Sequence, residues 1–270
     1  MADNSQLTEA IRVCGHRGGV IAMHRAFTYY QRGPISLLTA FTLFLFFSST
    51  WIALLPHVCH FWTRLLALGL RFLPLQARLE VTSHHFGFLR LEMPALRMEP
   101  VLPGIVLWSV NCCATLLLFA ATFLLSKRLL PVAYLGRAIL AVHSTSLLYF
   151  LLWPSRFPHS PDSYMEALLT SGIGIITAAP LLFALTYYIF DFGLLRKAFL
   201  TSLTMAHLSM FLPVQVLLQA MVLQKSVLFM PLLYIIFGMP LEVLLIIGFY
   251  SWGMTWSLPS ATPGLFRRKR

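Results

Sequence analysis

Six long apolar stretches, separated by short polar segments, dominate the pattern of the chain. They cover residues 35–55, 103–125, 131–153, 165–190, 199–223 and 227–252. Each has about the 20 residues that a helix needs to cross a hydrocarbon core of roughly 30 Å. The stretches are continuous, whereas the strands of a membrane β-barrel alternate apolar and polar residues. We therefore predict an all-α polytopic membrane protein with about six transmembrane helices.

The segment between the first two spans, residues 57–102, has a different pattern. Its first part, residues 60–72, spaces its apolar residues as a helix does, which predicts a helix lying on the outer membrane surface. Apolar and polar residues then alternate in 78–82, 89–93 and 96–99, as they do in half-buried strands. With a turn at 83–85 or at Gly87, this pattern predicts a small β-hairpin-like insertion in the first outer loop. An isolated hairpin is marginal in water, so we expect it to pack on the membrane helices or on a partner.

Composition supports the membrane class, because 58% of the residues are hydrophobic and only 11% are charged. An average soluble domain has about 45–50% apolar and about 25% charged residues. With the N-terminus placed inside, 13 of the 20 basic residues fall on the inner side and 7 on the outer side, as membrane topology requires. We predict a multi-pass protein of the bacterial inner (plasma) membrane with both termini cytoplasmic. The net charge of +11 is then mostly orientation information, and no nucleic-acid partner is expected.

Three segments follow from this topology. Residues 1–33 form a basic cytoplasmic segment in which apolar residues interspersed with arginines indicate an interfacial helix. Residues 34–258 form the six-helix membrane domain, and residues 259–270 form a basic cytoplasmic tail. No cleavable signal peptide is expected, since no apolar core precedes residue 35.

Ionisable residues inside predicted spans are costly in lipid and are therefore functional candidates. Glu242 lies in the sixth span beside Gly238 and Pro240, which indicate a kinked or locally opened helix. His207 lies in the fifth span at a similar estimated depth. We predict that these two side chains pair across neighbouring antiparallel helices, either as a functional proton site or as a packing contact.

Further polar residues extend this candidate set. They are His143 in the third span, Asn111 in the second and Gln215 in the fifth. Together they predict either a polar path through the bundle or interhelical hydrogen bonds that fix packing. The four histidines at 57, 60, 84 and 85 lack the ligand spacing of a zinc site, so no metal and no cofactor is expected.

Cys113, Arg137 and His143 are the residue types of the catalytic set in the exosortase and archaeosortase family. The chain also resembles that family in size and in being an α-helical inner-membrane protein. The resemblance implies an intramembrane enzyme with a thiolate nucleophile. The three residues are predicted at different membrane depths, however, and no other catalytic motif is present, so no catalytic residue is assigned.

These observations leave three hypotheses. The first is a non-enzymatic accessory or assembly subunit of an envelope-associated sorting, export or polysaccharide system. This subunit would bind a membrane-protein partner through loop 57–102. The second is a small proton-coupled transporter that uses Glu242 and His207. The third is an intramembrane enzyme of the exosortase type. In each case the lipid bilayer is the main surrounding partner.

Overall fold

The computed structural model describes residues 34–86, 89–187 and 193–256. The described elements, in chain order, are α1 (Pro34–Phe72), β1 (Ala77–Phe86), β2 (Leu89–Met98), α2 (Ile105–Ala121), α3 (Leu130–Leu152), α4 (Pro161–Thr186), α5 (Leu194–Leu223), α6 (Met230–Phe237) and α7 (Met239–Thr255). The predicted interfacial helix within residues 1–33 and the tail 259–270 lie outside the described residues.

Five helical segments of this fold are long and apolar enough to cross a membrane. They comprise α1 over Leu37–Phe72, the helices α3, α4 and α5, and the combined segment Val227–Gly253 that contains α6 and α7. The second apolar stretch, residues 103–125, forms α2, which has 17 residues and is shorter than this criterion requires. At 1.5 Å per residue α2 is about 25 Å long. The fold is thus mostly helical and suggests a multi-pass membrane protein.

Helix α1 runs through the whole bundle as one element of 39 residues, about 58 Å long. Residues 60–72 therefore continue this helix and do not form a separate surface helix as the pattern predicted. Cys59, Trp62 and Leu66 are buried in the core, whereas His60 and Arg64 are exposed. The helix is confirmed, but Phe61, Leu68 and Phe72 on its predicted apolar face are exposed, and the buried face is the one that carries Trp62 and Leu66.

Three tryptophan side chains tie the helices together through their indole N–H groups. Trp51 Nε1 on α1 donates to Thr177 Oγ1 on α4 at 2.8 Å. Trp62 Nε1 donates to the backbone oxygen of Ser209 on α5 at 2.7 Å. Trp108 Nε1 on α2 donates to a backbone oxygen of α3 at 2.9 Å. Each bond satisfies a polar group that would otherwise be costly inside a membrane.

The predicted hairpin is present as a two-stranded antiparallel sheet. Pairing extends continuously from Ala77 opposite Met98 to Phe86 opposite Leu89. Residues 83–85, one of the two predicted turns, are therefore strand residues, and the other predicted turn, at Gly87, lies outside the described residues. The alternating stretch at 96–99 continues β2 past Pro94 and does not form a third strand.

Strand β2 is the buried strand of the hairpin and packs against α1 and the start of α4. Asp162, in the first turn of α4, accepts a 2.5 Å hydrogen bond from the backbone N–H of Met98. Arg97 lies 3.7 Å from the same carboxylate and donates to Glu80 Oε2 on β1 at 3.2 Å. The hydrogen bond to Glu80 raises the pKa of Arg97 above its ordinary value. A further pair joins His84 Nε2 on β1 to Glu166 Oε1 on α4 at 3.3 Å.

The helices run between two ends of the molecule. At the hairpin end, besides the contacts of β2 with α4, the backbone N–H of Val227 donates to the backbone oxygen of Val101 at 2.9 Å. At the opposite end, Arg196 Nη1 at the start of α5 lies 3.4 Å from the backbone oxygen of Trp256 after α7. Helices α2 and α3 are antiparallel, as the contacts of Trp108 with residue 147 and of Arg137 with residue 122 show.

Close approach of α4 and α5 depends on one glycine, which gives a first prediction. A Cβ at Gly172 would collide with the terminal carbons of buried Leu212, whereas a Cβ at Gly174 meets no atom within 4 Å. Alanine improves helix propensity equally at both sites. We expect Gly172→Ala to be less stable than Gly174→Ala by about 1–3 kcal/mol, because overpacking a core costs this much. Thermal unfolding of both variants in the same detergent measures the difference.

Docking of the hairpin gives a second prediction. We expect Asp162→Ala to raise hydrogen–deuterium exchange at the β2 amides, because the N–H of Met98 loses its acceptor and Arg97 loses a charge partner. Loss of such a charged acceptor costs about 1–3 kcal/mol. Glu99→Ala, which removes an exposed carboxylate one residue after β2, is the matched control and should leave exchange unchanged. Equal exchange in the two variants would contradict this account of hairpin docking.

Candidate functional site at a helix break

The last span is broken between α6 and α7 at Gly238. In an unbroken helix the N–H of residue 241 would bond to the backbone oxygen of residue 237. Here it donates to the backbone oxygen of Gly238 at 3.1 Å, which frees the oxygen of Phe237. A Cβ at position 238 would collide with the backbone oxygen of Tyr234, so glycine is required for this close approach. The predicted opening of the helix near Glu242 is therefore present, with glycine at the break.

Two glutamines of α5 satisfy the freed oxygen. Gln215 and Gln219 both donate their side-chain N–H groups to the backbone oxygen of Phe237, Gln219 at 2.5 Å. Their spacing of four residues places both on one face of α5. Tyr164 on α4 donates its hydroxyl to Gln219 Oε1. Each glutamine is only 3% exposed, so this polar cluster lies inside the bundle.

Glu242 lies in the first turn of α7, one helical turn beyond the break. Its side chain is 2% exposed, and neither carboxyl oxygen has a hydrogen-bond partner among the described residues. Gln215 Oε1 is likewise buried without a donor in the described part of the chain. The break is thus surrounded by more hydrogen-bond acceptors than donors.

His207 does not join this cluster, so the predicted pairing with Glu242 is not formed. Its side chain is exposed, and its ring stacks on Phe211 at 5.8 Å and contacts Phe249 at 5.1 Å between ring centroids. Phe249 follows Glu242 by seven residues, or about 10 Å along α7. Counting residues from the ends of the spans predicted similar membrane depths for His207 and Glu242. In the structure, His207 instead packs beside Phe249, about two helical turns along α7 from Glu242.

The other two candidates also lie apart from the break. Asn111 donates its side-chain N–H to the backbone oxygen of Leu107 in its own helix at 2.8 Å. His143 is buried on α3, where its ring stacks on Phe229 at 5.8 Å. Of the candidates, only Glu242 and Gln215 lie at the same helix break, and the continuous polar path through the bundle is not formed by these contacts.

The three residues that resemble the exosortase set do not converge. Arg137 Nε donates to Thr122 Oγ1 at 3.0 Å, and the guanidinium lies 4.1 Å from the ring centre of Phe123. Thr122 follows Cys113 by nine residues, which is about 13 Å along a helix. Within the described residues, no group of three histidine, cysteine or acidic side chains lies close enough to hold a metal ion.

Two contributors to buried polar contacts had weak sequence signals. Tyr164 lies one residue before the predicted fourth span and was given no role, although its hydroxyl donates to Gln219 Oε1. Lys197 was counted as a loop charge, but α5 begins at Leu194 and buries it, with Nζ donating to the backbone oxygen of Tyr187 at 2.9 Å. The predicted fifth span began at residue 199, five residues after the start of α5, so the sequence did not indicate that Lys197 is a buried helix residue.

Comparison of the chain with protein-family models, with curated proteins and with solved structures finds no match. Functional conclusions therefore rest on the geometry of this chain.

The glutamine pair yields a third prediction. Because either glutamine alone still satisfies the oxygen of Phe237, we expect Gln215→Met with Gln219→Met to cost more stability than the two single changes added together. An unsatisfied buried acceptor costs about 1–3 kcal/mol, and this cost falls on the double variant alone. Methionine keeps the side chain long and unbranched. A thermal double-mutant cycle in detergent measures the excess.

Gln224→Met, at the half-buried C-cap of α5, is the control for the general effect of the substitution. Simple additivity of the two changes in the cluster would show that the shared oxygen is not what the glutamines stabilise.

Proposed function

We propose that this chain is an accessory or assembly subunit of an envelope-associated sorting, export or polysaccharide system in the bacterial inner membrane. In this proposal it binds a membrane-protein partner through the hairpin of β1 and β2. The observation that carries the proposal is the asymmetry of the hairpin: β2 is fixed to the helices, whereas β1 keeps exposed side chains and an outer edge.

Rigid docking makes the hairpin suitable for recognition. A two-stranded hairpin alone is marginal in water, but here Asp162 and Glu166 of α4 hold both strands. A surface that is ordered before binding loses less conformational entropy when a partner arrives. The same fixation makes little sense for a mere connection between two spans, which requires only a few residues.

The outward strand has the features of a docking edge. Arg78, Glu80, Ser83 and His85 are exposed on β1, and no other strand of the described residues pairs with its outer edge. Such an edge can pair with a strand from another chain. A cavity of about 340 Å³ between α1 and the hairpin adds a place for an anchoring side chain. Its lining includes His60, Thr63, Val81 and Leu91.

The proposed topology places the hairpin on the outer face and both chain ends in the cytoplasm. It is supported by the 13 basic residues assigned to the inner side against 7 on the outer side. Six crossings are compatible with the fold, because α2 runs antiparallel to α3 and residues 122–129 continue from its end to the start of α3. The short α2 then crosses together with this connecting segment.

Co-purification with site-specific photocrosslinking tests the proposal. The tagged full chain, extracted from its native membrane in mild detergent, should retain one stoichiometric membrane protein. A photoreactive residue at exposed Ser83 on β1 should crosslink to that same protein. The reason is that Ser83 lies on the proposed docking strand.

The control position is Leu195, which is 83% exposed at the opposite end of the molecule. It should give no adduct with the co-purified protein. A lone, well-behaved monomer, or adducts of equal yield from both positions, would overturn the accessory role.

A second candidate function, a small proton-coupled transporter, is favoured by the burial of Glu242 without a partner. In this form the proposal rests on Glu242 alone, since His207 is exposed elsewhere on α5. An exosortase-type enzyme receives no support from the separation of Arg137 and Cys113.

A further inference from the structure

Inside the bundle, the break between α6 and α7 has an imbalance of hydrogen-bonding groups. The side-chain N–H groups of Gln215 and Gln219 are both directed to the backbone oxygen of Phe237, and Tyr164 donates to Gln219. The acceptors left without a donor are Gln215 Oε1 and both carboxyl oxygens of Glu242. Buried acceptors are almost always satisfied in folded proteins, so a donor is required here.

Burial also disfavours a negative charge on Glu242. An ionised carboxylate that is removed from water needs a cation or several hydrogen bonds to remain there. Among the described residues, no lysine, arginine or histidine lies within ion-pair distance of Glu242. A neutral carboxylic acid, in contrast, carries one O–H donor and can fulfil the missing role.

The helices packed against α7 offer few competing charges. Asp162 and Glu166 on α4 are committed to the hairpin, and His207 on α5 is exposed against phenylalanine rings. The remaining titratable groups near the break are the phenols of Tyr164 on α4 and Tyr234 on α6, whose rings lie 6.2 Å apart. The cations at the start of α5, Arg196 and Lys197, contact the backbone oxygens of Trp256 and Tyr187, and no cation of the described residues lies within ion-pair distance of Glu242.

We infer that Glu242 is a proton-binding site at the helix break, and that its neutral carboxyl group donates its O–H to Gln215 Oε1. Gln215 is directed to Phe237, at the end of α6, and Glu242 lies in the first turn of α7, so both groups belong to the same junction. The inference goes beyond the accessory role and does not depend on it.

In this proposal, the protonation state of Glu242 changes the hydrogen bonding of Gln215. Gln215 in turn donates to the backbone oxygen of Phe237 that is freed at the helix break. When Glu242 releases its proton to water, the carboxylate needs a donor, and in this proposal the side-chain N–H of Gln215 turns towards it. The oxygen of Phe237 then remains satisfied by Gln219 alone. Because Gln219 still donates to this oxygen, Gln215 can change its hydrogen-bond partner when the protonation state of Glu242 changes.

Infrared spectroscopy of the full chain in lipid tests the inference directly. At neutral pH the wild type should show the C=O band of a protonated carboxylic acid, which shifts when water is replaced by D₂O. Glu242→Gln should lose this band. Gln215→Leu should keep it but shift it to higher frequency, because a carboxyl group that donates no hydrogen bond has a stiffer C=O bond.

Glu166→Gln is the control, since Glu166 is partly exposed and paired with His84, and it should leave the band unchanged. The absence of a protonated band at neutral pH, or its persistence in Glu242→Gln, would overturn the inference. If Glu242→Gln does not fold, wild-type protein treated with a hydrophobic carbodiimide decides. Modification mapped to Glu242 supports the proton site, whereas modification confined to the hairpin-end carboxylates Glu80, Asp162 and Glu166 contradicts it.

Discussion

A backbone oxygen that is freed inside an apolar bundle must find a donor, because no water is at hand in a bilayer core. Gly238 frees the oxygen of Phe237, and the rest of the site follows from that requirement. Two glutamines of α5 converge on this oxygen, and Tyr164 of α4 holds one of them. The break therefore fixes how α4, α5, α6 and α7 meet, although a broken helix is by itself a local feature.

The same requirement governs the remainder of the molecule. Three indole N–H groups donate across helix pairs, and Lys197 directs its charge to the backbone oxygen of Tyr187. At the hairpin end, Asp162 accepts from the last residue of β2. Among the described residues, the buried polar atoms without a hydrogen-bond partner are both carboxyl oxygens of Glu242, Ser48 Oγ, His143 Nδ1 and Gln215 Oε1. Glu242 is the carboxylic acid in this set, and in its neutral form it carries an O–H donor of its own, so we assign it a proton.

Sequence patterns predicted the helices better than their ends. Each apolar run is helical, but Pro56 does not end α1, and α5 starts five residues before the predicted span. Hydropathy reports only that a side chain avoids water. It does not distinguish a side chain that contacts lipid from one that packs against a neighbouring helix. Residues 60–72 were therefore predicted as a separate surface helix, although they continue α1 and bury Trp62 and Leu66. Counting residues from the span ends likewise predicted His207 beside Glu242. Such counting does not reveal at which positions along their axes two helices contact each other.

By itself, the sequence determined the membrane class, the alternation that forms the hairpin, and the rarity of a glutamate within an apolar run. These properties depend on transfer from water and on local periodicity, which each residue carries wherever it lies. Only the tertiary structure decided that β2 is buried against α1 and α4, that Gln215 and Gln219 share one oxygen, and that Glu242 has no hydrogen-bond partner among the described residues. These outcomes depend on contacts between residues far apart in the chain, which exist only after the helices have packed.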